Sequence, residues 1–277
     1  QSYMMNRFIT RKLRENAATL RNNYSNGGNI LGLRKQKEEM MAIIYNMLCI
    51  CLGTPPEYFH WQVKDKKKNF KRFNNLTPLD FYKKHVDITL TDKVCLIHCP
   101  MSNKEMNEHY TVSYLGNVVG GQIISYANVE IDIMKRVAVK SIKAGEAVWF
   151  GCDVGKMFHR NLGVMDMELY DYELLFNTDF TMDKKTKLEY GDSVMTHAML
   201  LTAVDIKGNQ SIKWRVENSW GKKGGDKGYM LMTDKWFNEY TYEVVIDKKY
   251  LPKRILNIFD KEPISLNPWD PMGSLAS

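Results

Sequence analysis

Apolar side chains recur at intervals of three and four residues over the first 52 positions, which predicts two amphipathic helices. A polar, glycine-containing stretch from residue 22 to residue 29 separates the two. The second helix should end before Gly53 and the pair Pro55-Pro56, because proline cannot continue a helix. The apolar face of the first helix comprises Phe8, Ile9, Leu13, Ala17 and Leu20.

The pattern changes further along the chain. Thr77 followed by Pro78 is a typical helix start, and a third amphipathic stretch over residues 131–142 should end at Gly145. Short apolar runs separated by glycine-rich turns then predict strands. The fold class indicated is α+β, with an antiparallel barrel or sandwich flanked by helices. The predicted strands are 94–97, 110–114, 147–152, 197–204, 212–217, 229–232 and 242–246.

Composition narrows the class of protein. The chain has 277 residues, 44% of them hydrophobic, and no run near the roughly 18 apolar residues of a membrane helix. Five cysteines, an odd number without a disulfide framework, favour a reducing, cytoplasmic location. The net charge of +7 includes a basic run from Lys64 to Arg72. A solvated loop is one interpretation of that run, and a nucleic-acid-binding strip at Lys66, Lys67 and Lys68 is the other.

Three side chains in the strand-rich part have the chemistry of a cysteine hydrolase. A thiol becomes a strong nucleophile when an imidazole takes its proton, and the imidazole must be held in one orientation by a third group. His197 begins an apolar strand, and Asn218 and Trp220 follow the next strand. An amide oxygen can orient the imidazole, and a bulky aromatic can shield that contact from water. We predict these roles for His197, Asn218 and Trp220.

The sequence around these residues resembles the bleomycin hydrolase and aminopeptidase C group of papain-like cysteine peptidases. The resemblance is carried by Cys51-Leu-Gly-Thr-Pro-Pro-Glu57, the stretch 145–156, Met195-Thr-His-Ala-Met199, the stretch 214–221 with Asn-Ser-Trp-Gly, and Trp269-Asp-Pro-Met-Gly273. It runs over essentially the whole chain. It implies the C-terminal barrel half of a papain-like fold together with a large helical insertion.

The resemblance also implies a function. His197 matches the catalytic histidine, Asn218 its orienting asparagine and Trp220 the tryptophan that covers that asparagine. We therefore expect a cytoplasmic, homohexameric aminopeptidase that acts on peptides. Some members of the resembled family also bind nucleic acid. The C-terminal arm of such enzymes lies in the cleft, and by this resemblance Ser277 would position the substrate's N-terminus. A frayed terminus is the alternative for this proline-containing tail.

The nucleophile is where the sequence departs from the resembled family. No cysteine lies in a Gln-rich, Cys-Trp segment, and buried cysteines are usually inert. The chain also opens without Met, so we expect it to be the C-terminal part of a longer polypeptide. The cysteine would come from an N-terminal segment or a separate chain. None of the five is interpreted as catalytic: Cys49, Cys51, Cys95, Cys99 and Cys152.

Three parts are predicted: a mostly helical oligomer-contact insertion over 1–128, a barrel domain over 129–250 and an extended arm over 251–277. We expect no metal and no cofactor. The spacing Cys95-x-x-His98-Cys99 offers at most three ligands and favours core packing. Asp153, directly after a strand, is interpreted as structural, with substrate contact as the alternative. The competing functional hypothesis is a non-catalytic chain of this fold that binds nucleic acid or protein partners.

Overall fold

The computed structural model describes residues 2–86, 88–116, 118 and 120–276, with residues 275 and 276 described by their main chain alone. The chain divides into two compact units, residues 1–88 and residues 89–277. No helix among the described residues is long and apolar enough to cross a lipid bilayer.

Two long helices open the first unit, as the sequence predicted. They are α1 (Ser2–Ser25) and α2 (Ile30–Leu52). The side chain of Asn29 caps α2 by accepting a hydrogen bond from the main-chain N–H of Gly32 at 2.8 Å. Gly53 ends the helix with φ of 88°, a left-handed conformation that glycine adopts without steric cost. Most side chains of both helices are exposed.

A hairpin and a short helix complete this unit: β1 (Phe59–Lys64), β2 (Phe70–Leu76) and α3 (Pro78–His85). The basic run is therefore not one solvated loop, because Lys64 ends β1 and the stretch from Phe70 to Arg72 begins β2. Only the tip is a turn, which Asp65 stabilises by accepting hydrogen bonds from the main chain of Lys67 and Asn69. Trp61 and Phe73 stack across the two strands with ring centroids 5.3 Å apart.

The second unit is built on one sheet, which has eleven strands in the residues that the structure describes. Each strand that the sequence predicted is present, with ends that differ by up to three residues. The strands are β3 (Lys93–Ile97), β4 (His109–Val112), β5 (Tyr126–Asn128), β6 (Val148–Cys152), β7 (Phe158–His159), β8 (Val164–Met165), β9 (His197–Lys207), β10 (Gln210–Glu217), β11 (Tyr229–Thr233), β12 (Thr241–Asp247) and β13 (Ile264–Leu266).

The strand order is β13-β4-β5-β3-β12-β6-β9-β10-β11-β8-β7. Most neighbours are antiparallel, and three pairs are parallel: β13 with β4, β3 with β5, and β8 with β11. The centre of the sheet runs β12-β6-β9-β10, and these strands supply much of the core, including Phe150, Leu201, Trp214 and Val244. The ends of β6, β9 and β10 are thus supported by strands whose side chains are packed in the core.

The α-helices that accompany the sheet in the described residues are α4 (Ile131–Lys143), α5 (Tyr172–Phe176), α6 (Lys184–Glu189), α7 (Asp234–Tyr240) and α8 (Lys253–Leu256). Helix α4 is the amphipathic helix predicted over 131–142. Its residues Ile133, Met134, Val137 and Ala138 are buried at helical spacing, so one face of α4 joins the core.

The C-terminal segment is packed in its described part. It contains α8, strand β13 and a 3₁₀ turn over Pro271–Ala276, where the sequence indicated an extended arm. Lys104 and Asp270 form a buried ion pair at 2.7 Å that joins this segment to the loop before β4. Ser277 lies outside the described residues. The boundaries at 128 and 250 stay predictions, and the contacts themselves divide the chain after residue 88.

Candidate active site

His197 and Asn218 are brought together by two neighbouring antiparallel strands. His197 is the first residue of β9, and Asn218 follows Glu217, the last residue of β10. The start of one antiparallel strand and the end of its neighbour meet at the same edge of a sheet. His197 also faces Cys152, the last residue of β6, in the register of the sheet. Three strand ends therefore converge on this position.

The loop after β10 folds back on itself and fixes Asn218. The main-chain N–H of Asn218 donates to the carbonyl of Gly228 at 3.2 Å. Gly228 has φ of 95°, and a Cβ there would stand 2.9 Å from the carbonyl oxygen of Gly221. Only glycine fits this close approach without displacement. Asn218 is consequently 9% exposed although it lies outside the strand.

The side chains of His197 and Asn218 are hydrogen-bonded. Nε2 of His197 lies 3.2 Å from Oδ1 of Asn218. An amide oxygen can only accept, so Nε2 carries the proton and Nδ1 is left with a free lone pair. Among the described residues, none is hydrogen-bonded to Nδ1. The ring is therefore held in the tautomer that can take a proton from a thiol.

Trp220 covers this hydrogen bond. Its ring stacks on the imidazole of His197, with centroids 4.7 Å apart and an interplanar angle of 26°. Its main-chain N–H donates to the same Asn218 oxygen at 3.3 Å. The ring itself is held by the guanidinium of Arg160, 4.5 Å from its centroid, and by a tilted contact with Phe158. These contacts bring together the three side chains that the sequence selected.

The cysteines of the second unit are poor nucleophiles. Burial raises the pKa of Cys99 to about 11, and it also raises the pKa of Cys95 and of Cys152 well above that of an ordinary thiol. Cys152 is fully buried beside His197 in the sheet register, and Asp153 raises its pKa further. Cys49 and Cys51 lie on α2 in the first unit. A thiolate at neutral pH is thus disfavoured at Cys95, Cys99 and Cys152.

The cluster around Cys95, His98 and Cys99 has protein partners. The Nδ1 of His98 lies 2.9 Å from the carbonyl of Val129, and burial lowers the pKa of His98 to about 4. Burial, together with the neighbouring Glu243, raises the pKa of Cys95. Within the described part of the chain, no group of three His, Cys, Asp or Glu side chains could hold a metal ion.

The remaining predicted site residues lie elsewhere. Lys66, Lys67 and Lys68 are exposed at the tip of the β1–β2 hairpin, in the first unit. Two contacts were not anticipated from the sequence. Arg160 touches Trp220 from a loop with no recognisable motif. Asp153 accepts hydrogen bonds from the segment just before His197.

Comparison with known proteins identifies the family of the chain. The family model described as the Peptidase C1-like family matches residues 1–273. The chain belongs to this family. Its α+β fold is that of the papain-like peptidases, as the sequence predicted. This Peptidase C1-like chain is 48% identical to bleomycin hydrolase of Mus musculus and 44% identical to aminopeptidase C of Listeria innocua. Each comparison covers 98% of this chain and 61% of the relative.

A solved structure gives the same result. The crystal structure of PepW from Lactobacillus rhamnosis HN001 superposes with a TM-score of 0.93 at 44% identity, over 98% of this chain and 62% of that chain. The chain thus spans about three fifths of the length of the relatives that it matches.

Proposed function

We propose that this Peptidase C1-like chain is the histidine- and asparagine-bearing part of a cysteine aminopeptidase that removes N-terminal residues from peptides. The observation that carries the proposal is the 3.2 Å contact between Nε2 of His197 and Oδ1 of Asn218, covered by Trp220. The relatives named bleomycin hydrolase and aminopeptidase C support the same activity.

The reaction is an acyl transfer. Nδ1 of His197 takes the proton of a cysteine thiol, and the thiolate attacks the carbonyl carbon of the first peptide bond. The resulting imidazolium gives that proton to the leaving amine as the C–N bond breaks, which leaves a thioester. Water then attacks the thioester while His197 takes a proton from it, and the proton returns to the departing sulfur. Asn218 keeps the ring in the required tautomer throughout.

The attacking thiol is proposed to come from a cysteine-bearing segment or chain outside residues 1–277. The raised pKa values of Cys95, Cys99 and Cys152 support this proposal, since a thiol that stays protonated is a weak nucleophile. The free lone pair on Nδ1 of His197 is consistent with a partner group that approaches from outside the sheet.

The C-terminal segment is proposed to set the exopeptidase specificity. Ser274 Oγ donates to the carbonyl of Met195 at 2.7 Å, two residues before His197, and Met272 is buried. The chain end therefore starts from a position close to the histidine. In this proposal Ser277 positions the N-terminus of the peptide substrate.

The proposed assembly is a cytoplasmic homohexamer in which residues 1–128 make oligomer contacts, 129–250 carry the catalytic residues and 251–277 form the arm. Exposed apolar side chains on α1 and α2 support an interface role for the first part, because a lone helical hairpin leaves them in water. They include Tyr3, Phe8, Leu31, Ile50 and Leu52. Sedimentation equilibrium of the native protein tests the hexamer.

A second proposed activity is nucleic-acid binding at Lys66–Lys68. The exposed hairpin tip, followed by Phe70 and Arg72 in cation–π contact, offers both charge and an aromatic ring. Neutralising the three lysines should lower the slope of log affinity against log salt by up to about 3. The control neutralises Arg34, Lys35 and Lys37 on α2. Equal slopes in both triple variants would refute a specific strip.

The peptidase proposal is tested with His197→Ala in the native enzyme that includes the cysteine-bearing segment. An aminoacyl-coumarin amide with a free N-terminus is the substrate, and its N-acetylated form is the control for aminopeptidase specificity. We expect loss of at least about 100-fold in kcat. The matched histidine control is His60→Ala, in the first unit, which should retain activity. Wild-type rates in His197→Ala would exclude the proposed mechanism.

A further inference from the structure

Asp153 lies beneath the segment that leads into His197. It directly follows β6 and is 5% exposed. Its main-chain N–H donates to the carbonyl of Tyr240 at 3.0 Å, which anchors the residue to the end of α7. No ion pair to Asp153 occurs within the described ranges, so the protein compensates this buried acid by hydrogen bonds alone.

Both carboxylate oxygens accept from residues 193–196. Oδ2 accepts from Oγ of Ser193 at 2.8 Å and from the main-chain N–H of Val194 at 3.4 Å. Oδ1 accepts from Oγ1 of Thr196 at 3.2 Å. The carboxylate thus contacts three of the four residues that precede His197, and Thr196 is its immediate neighbour in the chain.

Further contacts hold the same segment. The main-chain N–H of Thr196 donates to the carbonyl of Cys152 at 3.0 Å, which continues the pairing of β6 with β9. Ser193 uses its proton on Asp153, so the hydroxyl of Tyr242, at 2.6 Å, must donate to Ser193. Ser274 of the C-terminal segment donates to the carbonyl of Met195. Asp153 is the charged acceptor around which these contacts converge.

We propose that Asp153 is a positioning residue for His197: its carboxylate fixes the 193–196 segment, so that the imidazole meets Asn218 and Trp220 in one orientation. The inference rests on the proposed role of His197 as the acid–base group. In the described part of the chain, Asp153 itself is hydrogen-bonded to neither the imidazole nor Asn218, and it acts through the main chain between residues 193 and 197. Charge-assisted hydrogen bonds to a buried carboxylate are strong enough for this purpose.

The test is Asp153→Asn in the native enzyme. The side chain keeps its shape, but the amide nitrogen can only donate, so either Ser193 or Thr196 loses its acceptor. The first readout is a long-range ¹H–¹⁵N spectrum of the uniformly ¹⁵N-labelled protein, in which the histidine ring and tryptophan indole nitrogens are both detected. Wild type should give one set of His197 signals with Nε2 protonated. Asp153→Asn should broaden or double that set, while the indole signal of Trp236, bonded to the carbonyl of Lys156, stays in place.

The second readout is kinetic. Asp153→Asn should lower kcat about tenfold and change KM less than threefold, because positioning serves the reacting group rather than substrate binding. The matched control is Glu243→Gln, which removes another buried carboxylate from the same sheet; in the described part of the chain, the side chain of Glu243 makes no hydrogen bond to residues 193–197. We expect a single set of His197 signals in that control.

The outcomes are separable. Unchanged His197 signals in a folded Asp153→Asn protein would overturn the inference, whatever the rate. Altered signals together with full activity in His197→Ala would leave the positioning intact and remove the proposed peptidase mechanism. If Asp153→Asn does not fold, Thr196→Val removes one of the three contacts and should still broaden the His197 signals. Sharp, single signals in Thr196→Val would then count against the inference.

Discussion

Asn218 uses one side-chain oxygen to accept from two residues, His197 Nε2 at 3.2 Å and the main-chain N–H of Trp220 at 3.3 Å. The second contact fixes the direction of the amide. The first therefore has a defined geometry before any substrate binds, which is the condition under which an orienting group aids acid–base catalysis.

Asn218→Ala should lower kcat by about 10-fold or more, because the imidazole then samples both tautomers and more than one orientation. KM should change little. The measurement is steady-state kinetics of the native enzyme, with Asn209→Ala at an exposed turn as the matched control. A fall in kcat/KM that came from KM alone would contradict an orienting role for Asn218.

The ring of Trp220 can be tested apart from its main chain. Replacement by alanine keeps the N–H that donates to Asn218 and removes the stacked ring, which is 39% exposed. Water then competes for the hydrogen bond between His197 and Asn218. We expect Trp220→Ala to lower kcat about 3- to 10-fold, with a smaller effect for Trp220→Phe, which keeps an aromatic face. Equal rates in both variants would argue against shielding by the ring.

The grouping of His197, Asn218 and Trp220 could be predicted from sequence because its signal is local. The block from Trp214 to Gly221 contains a strand, the asparagine and the tryptophan, and His197 begins the strand that pairs with it. The residues that support the site gave no such signal. Arg160 reaches Trp220 across two loops, and Asp153 is one of many acids that follow a strand. Only tertiary contacts distinguish them.

Some strands of the fold could not be predicted from the sequence for a related reason. The apolar residues Phe59, Trp61 and Val63 alternate, but the cationic residues around them favoured a loop, and the partner strand pairs Phe73 with Trp61. Strand β13 pairs with β4, about 150 residues earlier in the chain. Short strands with distant partners carry little local information, since side-chain packing rather than backbone preference decides them.

Glu243 should make stability depend on pH. Burial raises its pKa from 4.5 to about 7. In that interval the folded protein holds a proton that the unfolded chain has lost, so stability is greatest below pH 4.5 for this group and falls as pH rises through 7. The shift corresponds to about 3 kcal/mol at most.

The measurement is urea unfolding at several pH values between 4.5 and 8, with Glu243→Gln as reference. As pH rises, the unfolding free energy of wild type should fall relative to that of Glu243→Gln. This relative loss should level off above about pH 7. Cys95→Ala removes the neighbour that lowers the pKa of Glu243, so the fall in stability should continue to a higher pH than in wild type. A difference independent of pH would show that Glu243 is already ionised in the folded protein at pH 4.5.

The ion pair between Lys104 and Asp270 should hold the C-terminal segment in place. The side chain of Lys104 is fully buried and that of Asp270 is nearly so. Removal of one partner leaves an uncompensated charge in the interior, so Lys104→Met should destabilise the protein by about 3–5 kcal/mol. Replacing both with apolar residues of similar volume, Lys104→Met with Asp270→Leu, should recover much of that loss, because no charge remains buried.

Two measurements separate the local effect from a global one. Urea unfolding gives the stability of each variant, and limited proteolysis reports cleavage after residue 252, where the segment begins to pack. Lys104→Met should be cleaved there faster than the double variant. The exposed pair Lys235–Glu168 is the control, since surface pairs contribute at most about 1 kcal/mol. If the double variant were as unstable as Lys104→Met, the loss would come from packing around residues 104 and 270 rather than from the unpaired charge.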